Sequence, residues 1–586
     1  MEPVIEYIQE VGALPLIKSF CDKLRLAELI DEILPLAPQA LMGNGIVFVA
    51  LLMNRLTTPR PLYRLVEWGQ KWGLFCVLGL QPELLNDDRV GRLLDAVAES
   101  ASEIKAAFLL RVINVFGLDI SKLHWDLTSL RFEGDYDRQD PDYPTATYGF
   151  DPKEPRKYKQ FRLGNLVNED GAIPLFHQAY SGNTADIDTV IDCLPQLVEL
   201  RKMAGRTIRV VGDSKLLSRQ GMVTLTRGGI SFICPESHNC ALDQQFLSLK
   251  SEDWVTLNYV SERQADLPEK LRTKFRAQEG PFAITVKVPD EAALSERKGK
   301  KATEDFTFRR IFVYSSEEEG AQRENRERLS QRLEAKLTEF SGKLSSHYWK
   351  KKSLAQAQRA LDKLLDSSVG KLYKTQLAAP GPEETGWVLQ WSLDRDKLAY
   401  AESLDGYYTL MSSVSIEDAD LHQIFRDYKE QTQIERRFSE WKGPLKLRPV
   451  FLKSNKRIEG LVLLLSAALM IFSLIEQQVR KNLKATAIPE LESLKEPETS
   501  SPNEQVAAQK SKAIKASEKI VGLYPEGRAA RPTGRNILAA FDGFYWARFR
   551  IAGKIYEQFS PSSEIQKRLL TILNLTGTMQ KMPNGP

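Results

Sequence analysis

The feature that most constrains this chain is a change of period near residue 117. Before it, apolar residues recur at helical spacing, as in Leu16, Ile17, Phe20, Leu24, Leu29 and Ile30, and again in Ile46, Val49, Leu52 and Leu56. After it, residues 118–132 (LDISKLHWDLTSLRF) alternate apolar and polar, as a half-buried strand does. Two more strand candidates follow, FRLGNLVN at 161–168 and AIPLFHQAYSG at 172–182, separated by the turn-like Glu169-Asp170-Gly171. A helix fits 185–203, and TIRVVGDS at 207–214 reads as a short apolar strand ending in Gly-Asp. Three strands able to pair as a meander, then a helix, then a fourth strand, form an α/β layout.

Residues 215–395 break that pattern with strand-like pieces (FAITVKV, FTFRRIFVYS) and a charged helical region at 317–366. There Leu329, Leu333, Leu337, Phe340 and Leu344 keep one stripe, which predicts a helical hairpin or a coiled coil. The α/β pattern resumes at YYTLMSS (407–413), followed by a helix over 418–442 and a buried helix over 459–480. Residues 484–517, rich in Ser, Pro, Glu and Lys, read as a linker or mobile loop. With 586 residues the chain is too long for one core. The expected segments are a helical N-terminal domain (1–110), the first part of an α/β core (115–214) and an insertion (215–395). The second part of the core (396–482), a flexible linker (483–520) and a helical C-terminal region (521–586) complete the chain.

Composition excludes several classes. Hydrophobic residues at 42% and charged residues at 27% are globular values, which rules out wholesale disorder and fibrous folds. A net charge of +4 argues neither for nor against nucleic acid, because the placement of charge decides. Five Cys form no disulfide framework and point to a reducing compartment. MEPVIEYIQE has acids where a signal peptide needs bases, and the apolar run Gly460–Ile475 falls short of the roughly 20 residues that span a bilayer. A soluble, cytoplasmic protein without a membrane partner is expected. No Gly-rich phosphate loop is present, so no nucleotide cofactor is implied.

Three acids sit where an α/β core would make them converge: Asp126 in the first strand, Asp213 at the end of the fourth, and Glu435 in YKEQTQIERRFSEWK (428–442). A carboxylate in an apolar strand is costly to bury alone. Converging carboxylates suit hard Mg²⁺ or Mn²⁺, and an ion pair about 4 Å apart can serve phosphoryl transfer. Acids at strand ends also occur in purely structural roles. On a continuous helix, Tyr428, Gln431, Glu435 and Lys442 fall at spacings of 3, 4 and 7 on one face, a poor face for packing.

This block resembles the Tyr-x2-Arg-x3-Glu-x6-Lys signature of DDE transposases in the IS-four group of bacterial insertion sequences. Leu445-Lys446-Leu447-Arg448-Pro449-Val450, with Arg457-Ile458 and a long apolar helix, looks most like the IS-sixteen-thirty-four branch. HWDLTSL around Asp126, GNTADIDT at 182–189 and Asp405-Gly406-Tyr407 agree with it, and the resemblance covers about 115–480. It implies a ribonuclease-H-like mixed-sheet core with a large insertion. Asp126, Asp213 and Glu435 would bind two Mg²⁺ or Mn²⁺ ions, and Tyr428 and Lys442 would contact phosphates of the transposon end. Gln431 stands where the family has arginine, so that phosphate contact is neutral or supplied by another residue. The resemblance further implies cut-and-paste transposition through a hairpin on the transposon end. Its partners would be double-stranded DNA, both terminal inverted repeats and target, bound by a homodimer that associates with the nucleoid. The alternatives are a catalytically inactive or repurposed DNA-binding relative, and a nuclease of the same core without strand transfer.

Between Arg426 and Arg457 ten basic residues face four acids, an excess that suits a phosphate track; Arg436, Arg437, Lys446 and Arg448 belong to it. Arg528, Arg531, Arg535, Arg548 and Arg550 interleave with Phe544, Tyr545 and Trp546, which fits either a DNA grip or a core. The N-terminal helices lack a clear helix-turn-helix pattern and could bind DNA ends, oligomerise or simply pack. Cys234, His238 and Cys240 offer three zinc-type ligands in a cramped loop without a fourth, so no zinc site is expected. His177 and Trp125 read as core residues.

Overall fold

The helical periodicity at the start of the chain yields seven α-helices among the described residues between Leu14 and Phe116, preceded by a strand, β1 (Val4–Glu10). The computed structural model describes residues 4–36, 41–132, 140–149, 159–184, 186–205, 207–214, 218–261, 264, 267–289, 301–379, 386–431, 437, 439–440, 454–492, 519–524 and 531–576. The chain divides into two compact units. Unit 1 comprises Met1–Lys215, Arg227–Ile230 and Glu430–Pro586; unit 2 comprises Leu216–Thr226 and Ser231–Lys429.

In unit 1 the helices lead into β2 (Lys122–Phe132), β3 (Thr147–Tyr148), β4 (Lys159–Asn168) and β5 (Pro174–Ser181), then helix Asp186–Ala204 and β6 (Ile208–Val211). These bounds follow the alternation in the sequence closely. β2 is central: antiparallel to β4, which pairs antiparallel with β5, and parallel to β6. An antiparallel meander followed by a crossover helix and a parallel strand on the far side of the first strand is the ribonuclease-H-like arrangement.

Unit 2 holds β7 (Ile230–Glu236), β8 (Val255–Leu257), β9 (Phe275–Pro289) and β10 (Lys301–Ser315), then helices Ser316–Leu344 and Leu354–Leu365. β11 (Tyr373–Ala378), β12 (Val388–Leu393) and β13 (Tyr407–Ser412) follow, before helix Leu421–Lys429. Strands β7, β13, β10, β9 and β8 lie side by side in that order, all antiparallel. The stripe expected to make a hairpin or coiled coil is covered within the chain. Leu333, Leu337, Phe340 and Leu344 are buried against Ala357, Leu361 and Leu389, the last on the β11–β12 hairpin.

The units divide the sequence differently from the expected segments. The first 110 residues share unit 1 with β2–β6, and residues 396–429 fall in unit 2. β13 is buried along most of its length and needs a neighbour on each side, which β10 and β7 supply. The single helix expected over 418–442 stops at Lys429, with a turn at Glu430 and Gln431.

Unit 1 resumes with helix Asn455–Glu492, which contains the apolar run and extends past the expected start of the linker; residues 493–518 lie outside the described residues. By length and composition this helix could cross a membrane, yet its apolar window is wholly buried. It packs on helices Asn44–Leu56 and Asp87–Glu99, on β5 and on the C-terminal helices. The charges that bracket the run are paired inside the fold: Glu459 lies 3.2 Å from Lys105, and Glu476 pairs with Arg437 and Arg480.

The C-terminal region is not wholly helical. Between helices Gly534–Ala539 and Glu564–Ile572 runs a hairpin of β14 (Tyr545–Ile551) and β15 (Lys554–Phe559), and β1 pairs with β14. YWARFRI alternates at strand period. Ala552 and Gly553 turn the chain at φ 50° and 80°, the positive values a tight two-residue hairpin needs.

Candidate active site

The site is built by strand register. Across the parallel step β2 pairs with β6 through Leu123 with Val210 and His124 with Val211. Asp126 lies two residues past His124 on β2, and Asp213 two residues past Val211, just beyond the carboxyl end of β6. That end of an α/β sheet is where ligands gather, since the strands deliver side chains into an open crevice. Asp126 is held from behind. Its neighbour Trp125 is buried on the opposite face of β2, and a Cβ on Gly164 of β4 would lie 2.3 Å from the Trp125 ring. Glycine there lets the indole lie flat against β4 and fixes the backbone that carries Asp126.

On the other side of β2 the register continues the polar row: Asp126 faces Asn165 of β4, and Asn165 faces His177 of β5. Asn165 is fully buried, and among the described residues neither its carboxamide oxygen nor its nitrogen has a hydrogen-bond partner. Asp126 is half-buried, with Oδ1 accepting from the Leu127 N–H at 2.7 Å. Burial raises the Asp213 carboxyl above its ordinary value, an effect partly opposed by the Arg162 guanidinium. Arg162 is itself steadied by donating from Nη1 to the Thr184 carbonyl at 3.2 Å. Burial, with Lys105 nearby, holds His177 well below the usual imidazole range, so it is neutral as a core histidine should be.

This donor set fits a hard divalent cation. Both carboxylates follow the paired stretch of adjacent strands, Asp213 is destabilised as an anion by burial, and a carboxamide without a partner among the described residues lies across from Asp126. The third acid, Glu435, lies outside the described residues, as do Arg436, Lys442, Lys446 and Arg448. Tyr428, in unit 2, is half-buried, its ring 6.0 Å from that of Tyr408. Gln431 occupies the turn after Lys429.

Arg437 requires a correction. Expected among the DNA contacts, it is 2% exposed and its guanidinium is fully engaged. Nε donates to the Ala172 carbonyl, Nη1 to Glu440, and Nη2 to both the Gly171 carbonyl and Glu476. Two more members of the basic track are also paired within the fold, Arg457 with Asp95 at 3.0 Å and Lys456 with Glu99. In the C-terminal cluster Phe544 and Trp546 are core, and Arg548 and Arg550 pair with Glu6 of β1. Arg528 lies outside the described residues. The Cys234–His238–Cys240 loop forms no ligand set. Cys234 is buried in β7, and the His238 ring nitrogens face Asp243 Oδ1 at 3.3 Å and the Tyr407 carbonyl at 3.1 Å.

Sequence reasoning missed Asn165, Arg162 and Arg437 as neighbours or supports of the site. Asn165 carried a signal, being a polar residue at the centre of an otherwise apolar stretch of strand.

A mixed sheet in which β2 lies between antiparallel β4 and parallel β6 defines a ribonuclease-H-like core. Residues 126–471 match the transposase DDE domain family, beginning at Asp126 itself, and the chain belongs to that family. Residues 6–108 match a domain of unknown function, DUF4277. No curated protein matches the chain. Among solved structures, a chain of the piggyBac transposase synaptic complex with hairpin DNA is similar over 90% of both chains, at 10% identity and a TM-score of 0.33. That likeness is too low to carry a residue correspondence.

Proposed function

We propose that this chain is a metal-dependent DNA transposase of the IS-four group, on its IS-sixteen-thirty-four branch. It cleaves DNA at the ends of its own element and joins the freed ends to target DNA by cut-and-paste. The observation that carries this reading is that Asp126 and Asp213 each come two residues after the last pair of the parallel β2–β6 step, inside the span that matches the transposase family.

Asp126, Asp213 and Glu435 would hold two divalent cations, Mg²⁺ or Mn²⁺. Such ions, when bound, lower the pKa of an attacking water or 3′ hydroxyl and stabilise charge on the leaving oxygen. The chain's own residues supply the placement. The parallel β2–β6 step carries the segments that bear the two carboxylates, Trp125 against Gly164 holds the strand, and Arg162 favours the ionised form of Asp213. Arg437, two residues past Glu435, ties that segment to the β4–β5 turn through the Gly171 and Ala172 carbonyls. Tyr428, Lys442, Lys446 and Arg448 would contact DNA phosphates, with Gln431 making a neutral contact. Two copies would act on paired ends.

The test is cleavage of linear DNA carrying the gene's flanking ends with Mg²⁺, comparing the wild type with Asp126→Asn and Glu435→Ala. Cutting at the ends by the wild type alone, with binding retained by all three, supports the proposal. Binding by all three without cutting favours a repurposed DNA-binding relative. Undiminished cutting by Glu435→Ala removes Glu435 from the site.

A further inference from the structure

Helix Asn44–Leu56 of unit 1 buries a positive charge that no described residue balances. From Ile33 to Val66 the sequence has no acid and no lysine, and its only charges are Arg55, Arg60 and Arg64. Arg64 pairs with Glu67 at 3.1 Å. Arg55, in the last turn of the helix, is 8% exposed and makes no hydrogen bond or ion pair among the described residues. Burial lowers its guanidinium only to about 10, so the charge is still present at neutral pH. The carbonyl end of the helix supplies about half a balancing charge, and Arg55 donates no hydrogen bond to it. A buried cation left in this state is costly, and such groups gather where a ligand brings the missing charge.

The surroundings of Arg55 are held in place. Asn54, fully buried, fixes the turn after the helix: its Oδ1 accepts from the Arg60 N–H and its Nδ2 donates to the Thr58 carbonyl, each at 3.4 Å. Thr57 Oγ1 donates to the Met53 carbonyl at 2.8 Å. That turn carries Arg60, which is exposed and has no ionic partner among the described residues. Of the three Arg55 nitrogens only Nε is enclosed, so the two Nη nitrogens make the opening. Charge, fork and opening together select the ligand. Two arginines without an acid suit more than one negative charge, and the Nη pair grips two oxygens of one group. An opening this small admits a head group with a single tail. An internal phosphodiester has one charge and a sugar on each side, whereas a phosphate monoester has up to two charges, three open oxygens and one tail. Hydrolysis that leaves a 3′ hydroxyl on one side of a DNA break leaves that monoester, a 5′ phosphate, on the other.

We propose that Arg55, with Arg60 at its rim, holds a phosphate monoester, the 5′-terminal phosphate of a DNA end. The proposal rests on the DNA-cleavage reading for the source of that phosphate. It is tested on the full chain in chelator, where nothing is cut, with two linear duplexes carrying the gene's flanking ends that differ only in a 5′ phosphate or a 5′ hydroxyl. The wild type is expected to bind the phosphorylated duplex about tenfold or more tightly, the scale of one charged hydrogen-bonded contact. Arg55→Met binds both duplexes alike and melts at or above the wild type, because the unmatched buried charge is gone. Arg60→Ala, at an exposed position, loses about two- to fivefold of the preference. Inorganic phosphate raises the melting temperature of the wild type and leaves that of Arg55→Met unmoved. Asp126→Asn keeps the full preference, and a wild type that shows the preference yet cuts nothing with Mg²⁺ counts against the active-site reading alone. A wild type that binds both duplexes alike overturns the proposal, and if inorganic phosphate still stabilises it the site is one for free phosphate only. An Arg55→Met that keeps the preference, or that melts lower with the preference intact, makes Arg55 a structural residue and overturns it equally.

Discussion

Arg437 and Glu476 form an ion pair sealed from solvent on both sides, at 3.1 Å, between segments 39 residues apart. Glu476 also accepts from the Gly534 N–H at 2.7 Å and pairs with Arg480. The chain just past Glu435 is thereby bolted to the long core helix. Removing one member of a buried pair strands the other, at a cost of about 3–5 kcal/mol. Arg437→Met is expected to lower the unfolding free energy by an amount of that order, read as a lower melting temperature, and, below its melting range, to leave the salt dependence of DNA binding intact. Lys446→Ala and Arg448→Ala should do the reverse, each reducing the salt slope by about 0.9 with no change in melting. Salt titrations of end binding beside thermal melts decide between the two roles.

Asp213 links the site to pH. Its folded pKa is raised, chiefly by burial, so the protonated form is favoured in the native state. Its contribution to stability is full below the unfolded carboxylate pKa and is lost as pH rises through the raised folded value. At neutral pH without a divalent ion the ionised group is a net cost. Asp213→Asn should therefore melt higher than the wild type at pH 7 in chelator, while the two converge at acidic pH. Mg²⁺ should raise the wild-type melting temperature and leave that of the variant unmoved. Cleavage by the variant should fall by about 10³-fold or more.

Asn165 offers a separation of stability from activity. A buried carboxamide with no partner costs about 1–3 kcal/mol, so Asn165→Leu should fold as well as the wild type or better. The position lies directly across from Asp126, and loss of the amide should slow cleavage about tenfold with end binding unchanged. Equal cleavage rates would mean that the amide does not act on Asp126.

In unit 2, Arg326 grips Asp405 with two hydrogen bonds of 2.8 and 2.5 Å, fastening helix Ser316–Leu344 to the turn before β13. Both side chains are largely buried. Asp405→Ala is expected to destabilise unit 2 by about 3–5 kcal/mol, and Arg326→Met/Asp405→Leu by less than either single change. Limited proteolysis of unit 2, compared with melting of the whole chain, reads the difference.

Four of the five strands of the β2–β6 region were legible because each alternates or runs apolar between turn residues, and Asp126 and Asp213 stood out as acids at apolar strands; the two-residue β3 is too short to carry a period. The hairpin at 545–559 was not legible. Its arginines and aromatics suggest a nucleic-acid surface until the partner strand, more than 500 residues earlier, supplies Glu6 for Arg548 and Arg550. Arg437 was hidden for the same reason. A basic run looks like a phosphate track, and only the fold delivers the carbonyls of Gly171 and Ala172 that take one of its members out of solvent. The helix drawn through 418–442 failed at Glu430, where periodicity gives no warning because the residues on both sides favour helix.

The helix Asn455–Glu492 has a consequence for dissecting the protein. It rests on helices from the first hundred residues, on β5 and on the C-terminal helices together. A fragment starting after residue 110 would present a greasy rod with one wall missing and would aggregate or partition into detergent. The DUF4277 segment and the DDE segment therefore stand or fall as one expressed body, and a transplanted N-terminal segment would have to bring this helix with it.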